Sequence, residues 1–212
     1  PTTSPTAAPT APTEAPTLSP TGSPTVAPGT FADKGELKTA VRMWINNPDA
    51  AKDKYPPIKD WDVSRVTDMR EMFGGEPHLG GHTFNEDIGE WDVSQVTDMG
   101  FMFGDNSKFN APIGEWDVSQ VTDMERMFRR ASAFGADIGA WDVSKVTDMS
   151  WMFAGGAWDA YLAFDADIGE WDTSSVTAMD NAFHDSGLCP DWPGRDCQCP
   201  SWAAGWAGAG CR

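Results

Sequence analysis

The nine residues WDVSQVTDM occupy 91–99 and recur unchanged at 116–124. Near copies stand at 61–69 (WDVSRVTDM), 141–149 (WDVSKVTDM) and 171–179 (WDTSSVTAM). Their opening tryptophans, Trp61, Trp91, Trp116, Trp141 and Trp171, are separated by 30, 25, 25 and 30 residues. A period near 25 is the mark of a repeat array, in which each unit packs only on its neighbours. One active site would not need the same local pattern five times, so the repetition speaks first for architecture. The two longer units carry insertions at matching places, GGEPHLGGH (74–82) and GGAWDAYLA (155–163). An array keeps its core positions and lets its turns vary, so both insertions are expected in loops.

Within the unit 116–140 the apolar residues are Trp116, Val118, Val121, Met124, Met127, Phe128, Ala131, Phe134 and Ile138. Their spacing is mostly three, between the strand and helix periods, and fits a coil that turns through short elements. The pattern predicts a short strand over 120–124 with Val121 inward, then one or two helical turns over 124–131. With units stacked at strand spacing, about 5 Å, like side chains form ladders: Trp on Trp, Val on Val, Phe on Phe. A single unit buries too little to fold alone; burial grows only as neighbours are added.

Residues 31–60 differ in character. Leu37, Ala40, Val41, Trp44 and Ile45 lie on one face of a helix. Asn46-Asn47-Pro48 ends that helix, which is expected to cap the array at its N-terminal side. Residues 1–30 hold eight prolines, nine threonines and three serines. Proline at every third or fourth position excludes helix and central strand, and nothing there builds a core. Polyproline II is the natural local conformation, and Ser/Thr with Pro is the composition of O-glycosylated stalks. The candidate attachment sites are Thr2, Thr3, Ser4, Thr6, Thr10, Thr13, Thr17, Ser19, Thr21, Ser23, Thr25 and Thr30. The chain begins at Pro1 with neither Met nor an apolar leader, as expected of a processed or partial chain.

All four cysteines, Cys189, Cys197, Cys199 and Cys211, fall in the last 24 residues. C-x-C with wide flanks is poor zinc spacing, so two disulfides and an oxidising, extracellular compartment are expected. Cys189–Cys197 with Cys199–Cys211, and Cys189–Cys199 with Cys197–Cys211, both satisfy the spacing. The expected domains are therefore 1–30, 31–60, 61–188 and 189–212. A net charge of −17, from 32 acidic and 15 basic residues, argues against nucleic acid and anionic membranes as partners. No apolar run reaches 18 residues, so no membrane span is expected.

The units of form FN-x-DI-x-x-WDVS-x-V-T-x-M-x-x-MF, with the opening FADKGELKTAVRMW, resemble the BspA-like leucine-rich-repeat surface proteins over about 31–185. The resemblance implies an α/β repeat solenoid: a right-handed coil of short strands and short helical turns behind an N-terminal helical cap. It also implies a secreted or cell-surface protein used in adhesion or assembly, without a catalytic centre. The Thr/Pro-rich tail and the Cys-rich end lie outside it.

Two columns of aspartates invite a site. Asp62, Asp92, Asp117, Asp142 and Asp172 follow each Trp; Asp68, Asp98, Asp123 and Asp148 follow each Thr, with Ala178 ending the second column. Stacked carboxylates repel, and calcium would neutralise them through Asp92, Asp98, Asp117, Asp123, Asp142 and Asp148. The alternative is that each Asp caps its own turn, with D-x-S as an Asx turn and T-D as a helix N-cap; a fixed place in every unit favours that reading. The five tryptophans are expected in the core rather than on a sugar platform. Trp158, Tyr161, Trp192, Trp202 and Trp206 are the better candidates for outside contacts. A flat ice-binding array of Thr67, Thr97, Thr122, Thr147 and Thr177 is disfavoured by Arg65, Gln95 and Lys145 two residues away. The histidines, His78, His82 and His184, mark out no catalytic constellation, and no cofactor other than calcium is expected.

The expectation is a non-enzymatic extracellular glycoprotein. A tail that cannot fold alone and two specialised ends point to copies joined head to tail in a fibre. The competing expectation is a monomeric adhesin that recognises carbohydrate or protein through the face of the array.

Overall fold

The computed structural model describes residues 27–74, 83–155, 163–164, 166–184 and 186. The chain enters along the first repeat: Thr30 forms a parallel bridge with Asp62, through Phe31 N–H to Asp62 O (3.0 Å) and Asp62 N–H to Gly29 O (2.8 Å). Gly29 has φ +90° and lies where a Cβ would stand 2.7 Å from the Pro56 ring, so only glycine fits. Residues 29–31 thus bond directly to the first repeat.

Helix α1 runs Lys34–Asn46. Asp33 caps it by accepting the Glu36 N–H, and Glu36 in turn accepts the Ala32 N–H. Leu37, Ala40 and Val41 are buried, and half-buried Trp44 meets Trp61 edge-on at 5.6 Å. A second helix, α2 (Pro48–Lys54), follows directly and was not expected. Asn47 closes α1 by donating its N–H to Met43 O, and opens α2 by accepting the Ala50 N–H on its side chain. Pro48 at the first helical position needs no acceptor for a missing N–H. The same Asn-Pro that ends one helix thus starts the next. A 3-10 turn at Ile58–Asp60 leads into the repeats.

The repeats stack in register. Parallel bridges join Asp68 to Asp98, Asp98 to Asp123, Asp123 to Asp148 and Asp148 to Ala178. The strand expected over 120–124 is reduced to one bridging residue in each unit. The helical turns expected over 124–131 do not form; among the described residues no α-helix follows Asp60. Glu71, Phe101, Arg126, Trp151 and Asn181, one per unit, adopt φ between 53° and 60°, as do Asp105 and Arg130. A left-handed residue ends any α-helix, at a cost of about 1–2 kcal/mol for a non-glycine.

Hydrogen bonding explains why that cost is met. In the third unit the N–H groups of Met124, Arg126, Phe128 and Arg130 donate to Asp148, Ser150, Met152 and Ala154 of the next unit, at 2.8–2.9 Å. The intervening N–H groups of Met127, Arg129 and Ala131 close local turns onto Met124, Arg126 and Phe128. Alternate donors thus go to the neighbour and to the coil itself, and the positive φ values turn the chain between the two uses. A helix would have spent every donor on itself and left the units unjoined.

Inside, like residues stack on like. Phe73, Phe103, Phe128, Phe153 and Phe183 form a column with centroids 5.4–5.8 Å apart and planes within 13°. A second column, Phe109, Phe134 and Phe164, runs beside it at 5.7–5.9 Å. The two touch face to face within each unit, at 3.6 Å for Phe103–Phe109 and 3.8 Å for Phe128–Phe134. The repeated tryptophans are all buried, at 3–5% exposure, so none offers a face to sugar. The expected Trp-on-Trp ladder is more selective than that. Trp61 stacks on Trp91 at 6.3 Å, while Trp116, Trp141 and Trp171 tilt against Phe103, Phe128 and Phe153 of the preceding unit. Their indole N–H groups reach one unit further back, Trp116 to the Ile88 carbonyl at 3.1 Å and Trp141 to the Ile113 carbonyl at 3.1 Å. Each ring is therefore both packing and a polar strap between units.

Candidate functional site

The aspartate columns run up the outside of the stack. After each Trp, one carboxylate oxygen accepts the N–H of the Ser two residues on: Asp62 with Ser64, Asp92 with Ser94, Asp117 with Ser119, Asp142 with Ser144 and Asp172 with Ser174, at 3.0–3.2 Å. These are Asx turns, and they set the corner at which Val66, Val96, Val121 and Val146 turn inward. The Ser hydroxyl and then its N–H hold Asp117, Asp142 and Asp172 below the ordinary carboxylate range.

The second column makes the same kind of turn, not the helix N-cap that was expected, since no helix follows it. Asp68, Asp98, Asp123 and Asp148 accept the N–H groups of Arg70, Gly100, Glu125 and Ser150, each at 2.8 Å. Asp68, Asp98 and Asp123 of this column meet cations from elsewhere in the chain. Lys34 of α1 meets Asp68 at 2.8 Å. Arg70 spans two units: it lies 3.8 Å from Asp98, 3.3 Å from Asp123 and 2.6 Å from Glu125. It can do so because Gly100 stands in its path; a Cβ there would sit 2.0 Å from the guanidinium. The Glu125 contact raises Arg70 above its ordinary value. Burial raises Asp123, with the Glu125 N–H opposing and neighbouring Asp98 adding to the rise. Among the described residues no three His, Cys, Asp or Glu side chains converge as a metal ion would require.

Threonine hydroxyls form a parallel strap. Thr97, Thr122, Thr147 and Thr177 each donate N–H and Oγ1 to the carbonyl of the Thr one unit back, the hydroxyl bonds being 3.0–3.2 Å. Their hydroxyls are committed to the stack rather than laid out as a free outward array.

The stack also has direction. From the Met-x-x-Met-Phe segment, the N–H groups that leave the coil all point to the following unit. At the last described coil, the N–H groups of Met179 and Asn181 find no acceptor among the described residues. At the first, the carbonyls of Asp68 and Arg70 accept no backbone N–H among them. The threonine strap runs the other way, each Thr N–H pointing one unit back. Among the described residues the last coil therefore also ends on the Thr177 carbonyl and the first on the Thr67 N–H, and the two ends are complementary, each with donors and acceptors.

Of the twelve tail positions considered for glycosylation, Thr30 falls within the described residues, half-buried in its bridge to Asp62. The other eleven lie outside them, as do Cys189, Cys197, Cys199 and Cys211, the aromatic residues Trp158, Tyr161, Trp192, Trp202 and Trp206, and His78 and His82. His184 is half-buried with its ring 5.9 Å from Trp151 and nearly parallel to it. Sequence reasoning passed over the cluster Arg126, Arg129 and Arg130, three guanidinium groups within five residues, which was legible as the run ERMFRR. No helix among the described residues is long and apolar enough to cross a membrane.

No curated protein and no solved structure matches the chain. Residues 42–158 and 156–188, more than half of its length, match the family described as "Mycoplasma protein of unknown function, DUF285". The repeats whose stacking is set out above are the matched region, and the chain belongs to that family.

Proposed function

We propose that this is a non-enzymatic extracellular structural protein, a subunit whose copies join head to tail into a fibre. In this reading the stack is a right-handed BspA-type solenoid and the family match is to that repeat. The Thr/Pro-rich segment 1–30 carries O-linked glycans and lies along the next copy.

The observation that carries it is the direction of the ladder. The N–H groups of Met179 and Asn181, which have no acceptor among the described residues, match in kind and spacing the carbonyls at Asp68 and Arg70. Unlike ends that complement one another make heterologous contacts, and when the rotation between copies does not close, such contacts run on as a filament. Edge pairing of this kind is the hazard that sheet proteins usually block with charge. Here the last coil loses its carboxylate, Ala178 standing where Asp148 stands one coil earlier, and Lys34 neutralises Asp68 at the other end. Both changes remove like-charge repulsion from a junction. The remaining −17 keeps formed fibres apart at low salt.

Electron microscopy of the undenatured protein, beside the same protein lacking residues 1–30, tests the reading. Regular filaments that vanish without the tail are expected. Single particles in both samples would overturn it.

A further inference from the structure

Arg126, Arg129 and Arg130 form the densest basic cluster on a strongly acidic chain. Arg126 and Arg130 have φ of 58° and 56°, which turns both side chains outward, and their exposure is 44% and 48%. Among the described residues the carboxylates of Asp105 and Glu125 face the cluster. Arg129 and Arg130 share Asp105, at 3.3 and 3.4 Å. Arg126 meets one oxygen of Glu125 at 3.0 Å, while the other oxygen belongs to Arg70 at 2.6 Å. Burial lowers Arg129 from its ordinary value; Asp105 opposes, and the neighbouring charges of Arg130 and Arg126 add to the lowering.

Aromatic residues flank this cluster in the coils on either side. Phe101 N–H donates to Glu125 O, Arg126 N–H to Ser150 O and Trp151 N–H to Asp180 O, at 2.7–2.9 Å. These bonds put Phe101, Arg126 and Trp151 at one position of three successive coils, about 4.8 Å apart. Phe101 and Trp151 are half-exposed, with φ of 55° and 60°. The Phe101 ring lies close over Gly104, where a Cβ would stand 2.5 Å from ring carbons. The Trp151 ring lies parallel to that of His184. Two flat rings therefore bracket a row of guanidinium groups along the axis of the stack.

We propose that Phe101, Arg126, Arg130 and Trp151 form a docking surface for an acidic polysaccharide, whose chain runs along the stack. The C–H face of a pyranose ring packs on an aromatic face, and a uronate or sulfate group takes a guanidinium in a two-point bond. An extended sugar chain repeats on a length close to the rise of one coil, so rings meet Phe101 and Trp151 while the acid group between them meets the arginines. The surrounding negative charge discriminates against a densely charged phosphate chain, which would also run against the Asp98, Asp123 and Asp148 column. This surface does not depend on whether copies assemble.

Affinity electrophoresis through gels holding alginate, a sulfated galactan or neutral dextran tests it, with oligo(dT) titrated in solution. Retardation by alginate, the sulfated galactan or both, but not by dextran, is expected. Response to one acid and not the other identifies the group bound. Arg126→Gln with Arg130→Gln should weaken binding about tenfold, as the loss of charge-assisted contacts implies. Trp151→Leu should weaken it as well, with melting unchanged. If the double variant does not fold, Trp151→Leu carries the test alone, since that ring is half-exposed. No retardation by either acid, binding that survives these substitutions, or tighter binding of oligo(dT) would each overturn the proposal.

Discussion

Replacing Phe128 by Ala tests the packing where the stack depends on it most. The ring is fully buried and lies 5.8 Å from Phe103, 5.8 Å from Phe153, 3.8 Å from Phe134 and 6.3 Å from Trp141. Burial of the side chain is worth about 1.5–3 kcal/mol. Each ring pair adds about 0.5–1.5 kcal/mol. Four pairs would bring the total to about 3.5–9 kcal/mol if they were additive, which neighbouring contacts are not. Measured Phe→Ala losses in cores are about 3–5 kcal/mol, and a site held by coils on both sides has little freedom to collapse, so about 4 kcal/mol is expected. Urea unfolding followed by tryptophan fluorescence measures it. Because most backbone and ring contacts join adjacent coils, the loss should also reduce cooperativity, seen as a lower m-value. Thr122→Ala is the control: its Oγ1 bond to Thr97 is exposed and should be worth about 0.5–1.5 kcal/mol. A Phe128→Ala loss below about 1.5 kcal/mol, no more than the control, would refute the claim that the two phenylalanine columns close-pack the array.

Gly114→Ala should destabilise although it adds one methyl, because its Cβ would stand 2.4 Å from the Asp137 carbonyl oxygen, a backbone atom of the next unit; Gly135→Ala, with 3.4 Å to the Ala163 carbonyl oxygen, should be mild by comparison in the same unfolding assay. Carbon-detected NMR titration should find Asp117 and Asp142 below the usual aspartate pKa of about 3.9 and Asp123 above it. With folded pKa values depressed, Asp117 and Asp142 contribute stability above the unfolded value, lost as pH falls through the folded one. Asp123, raised, does the opposite: its contribution is present below the unfolded value and is lost as pH rises through the folded one. Arg70→Gln should raise Asp123 further, since the guanidinium 3.3 Å away opposes the rise, and an unchanged titration would show that Arg70 does not neutralise the column. Chelation with EDTA should leave the melting curve unchanged, because backbone N–H groups and Arg70 already serve the aspartates; a curve that falls on chelation and recovers with calcium would show that the columns hold the ion.

What the sequence determined by itself was the period, the inward set and the local turns. Trp, Val, Met, Phe and Ile recur at one place in every unit, and D-x-S carries its own hydrogen bond two residues on, so both could be read without knowing where the chain goes next. Helix α1 was legible for the same reason: Leu37, Ala40, Val41, Trp44 and Ile45 declare one face within nine residues. Helix α2 was missed although Asn47-Pro48 held its start signal, because the same residues read equally well as a stop. The tertiary structure alone decided what the coil is made of. Spacing by three looked helical over 124–131, but the donors of Met124, Arg126, Phe128 and Arg130 are taken by carbonyls of the next unit, and left-handed φ values replace helical turns. It also decided the partners of charge. Arg70 and Glu125 are 55 residues apart in sequence and 2.6 Å apart in space, and the path between them is open only because position 100 is glycine. Local pattern carries bonds that span a few residues; bonds that cross from coil to coil exist only once the coils have stacked.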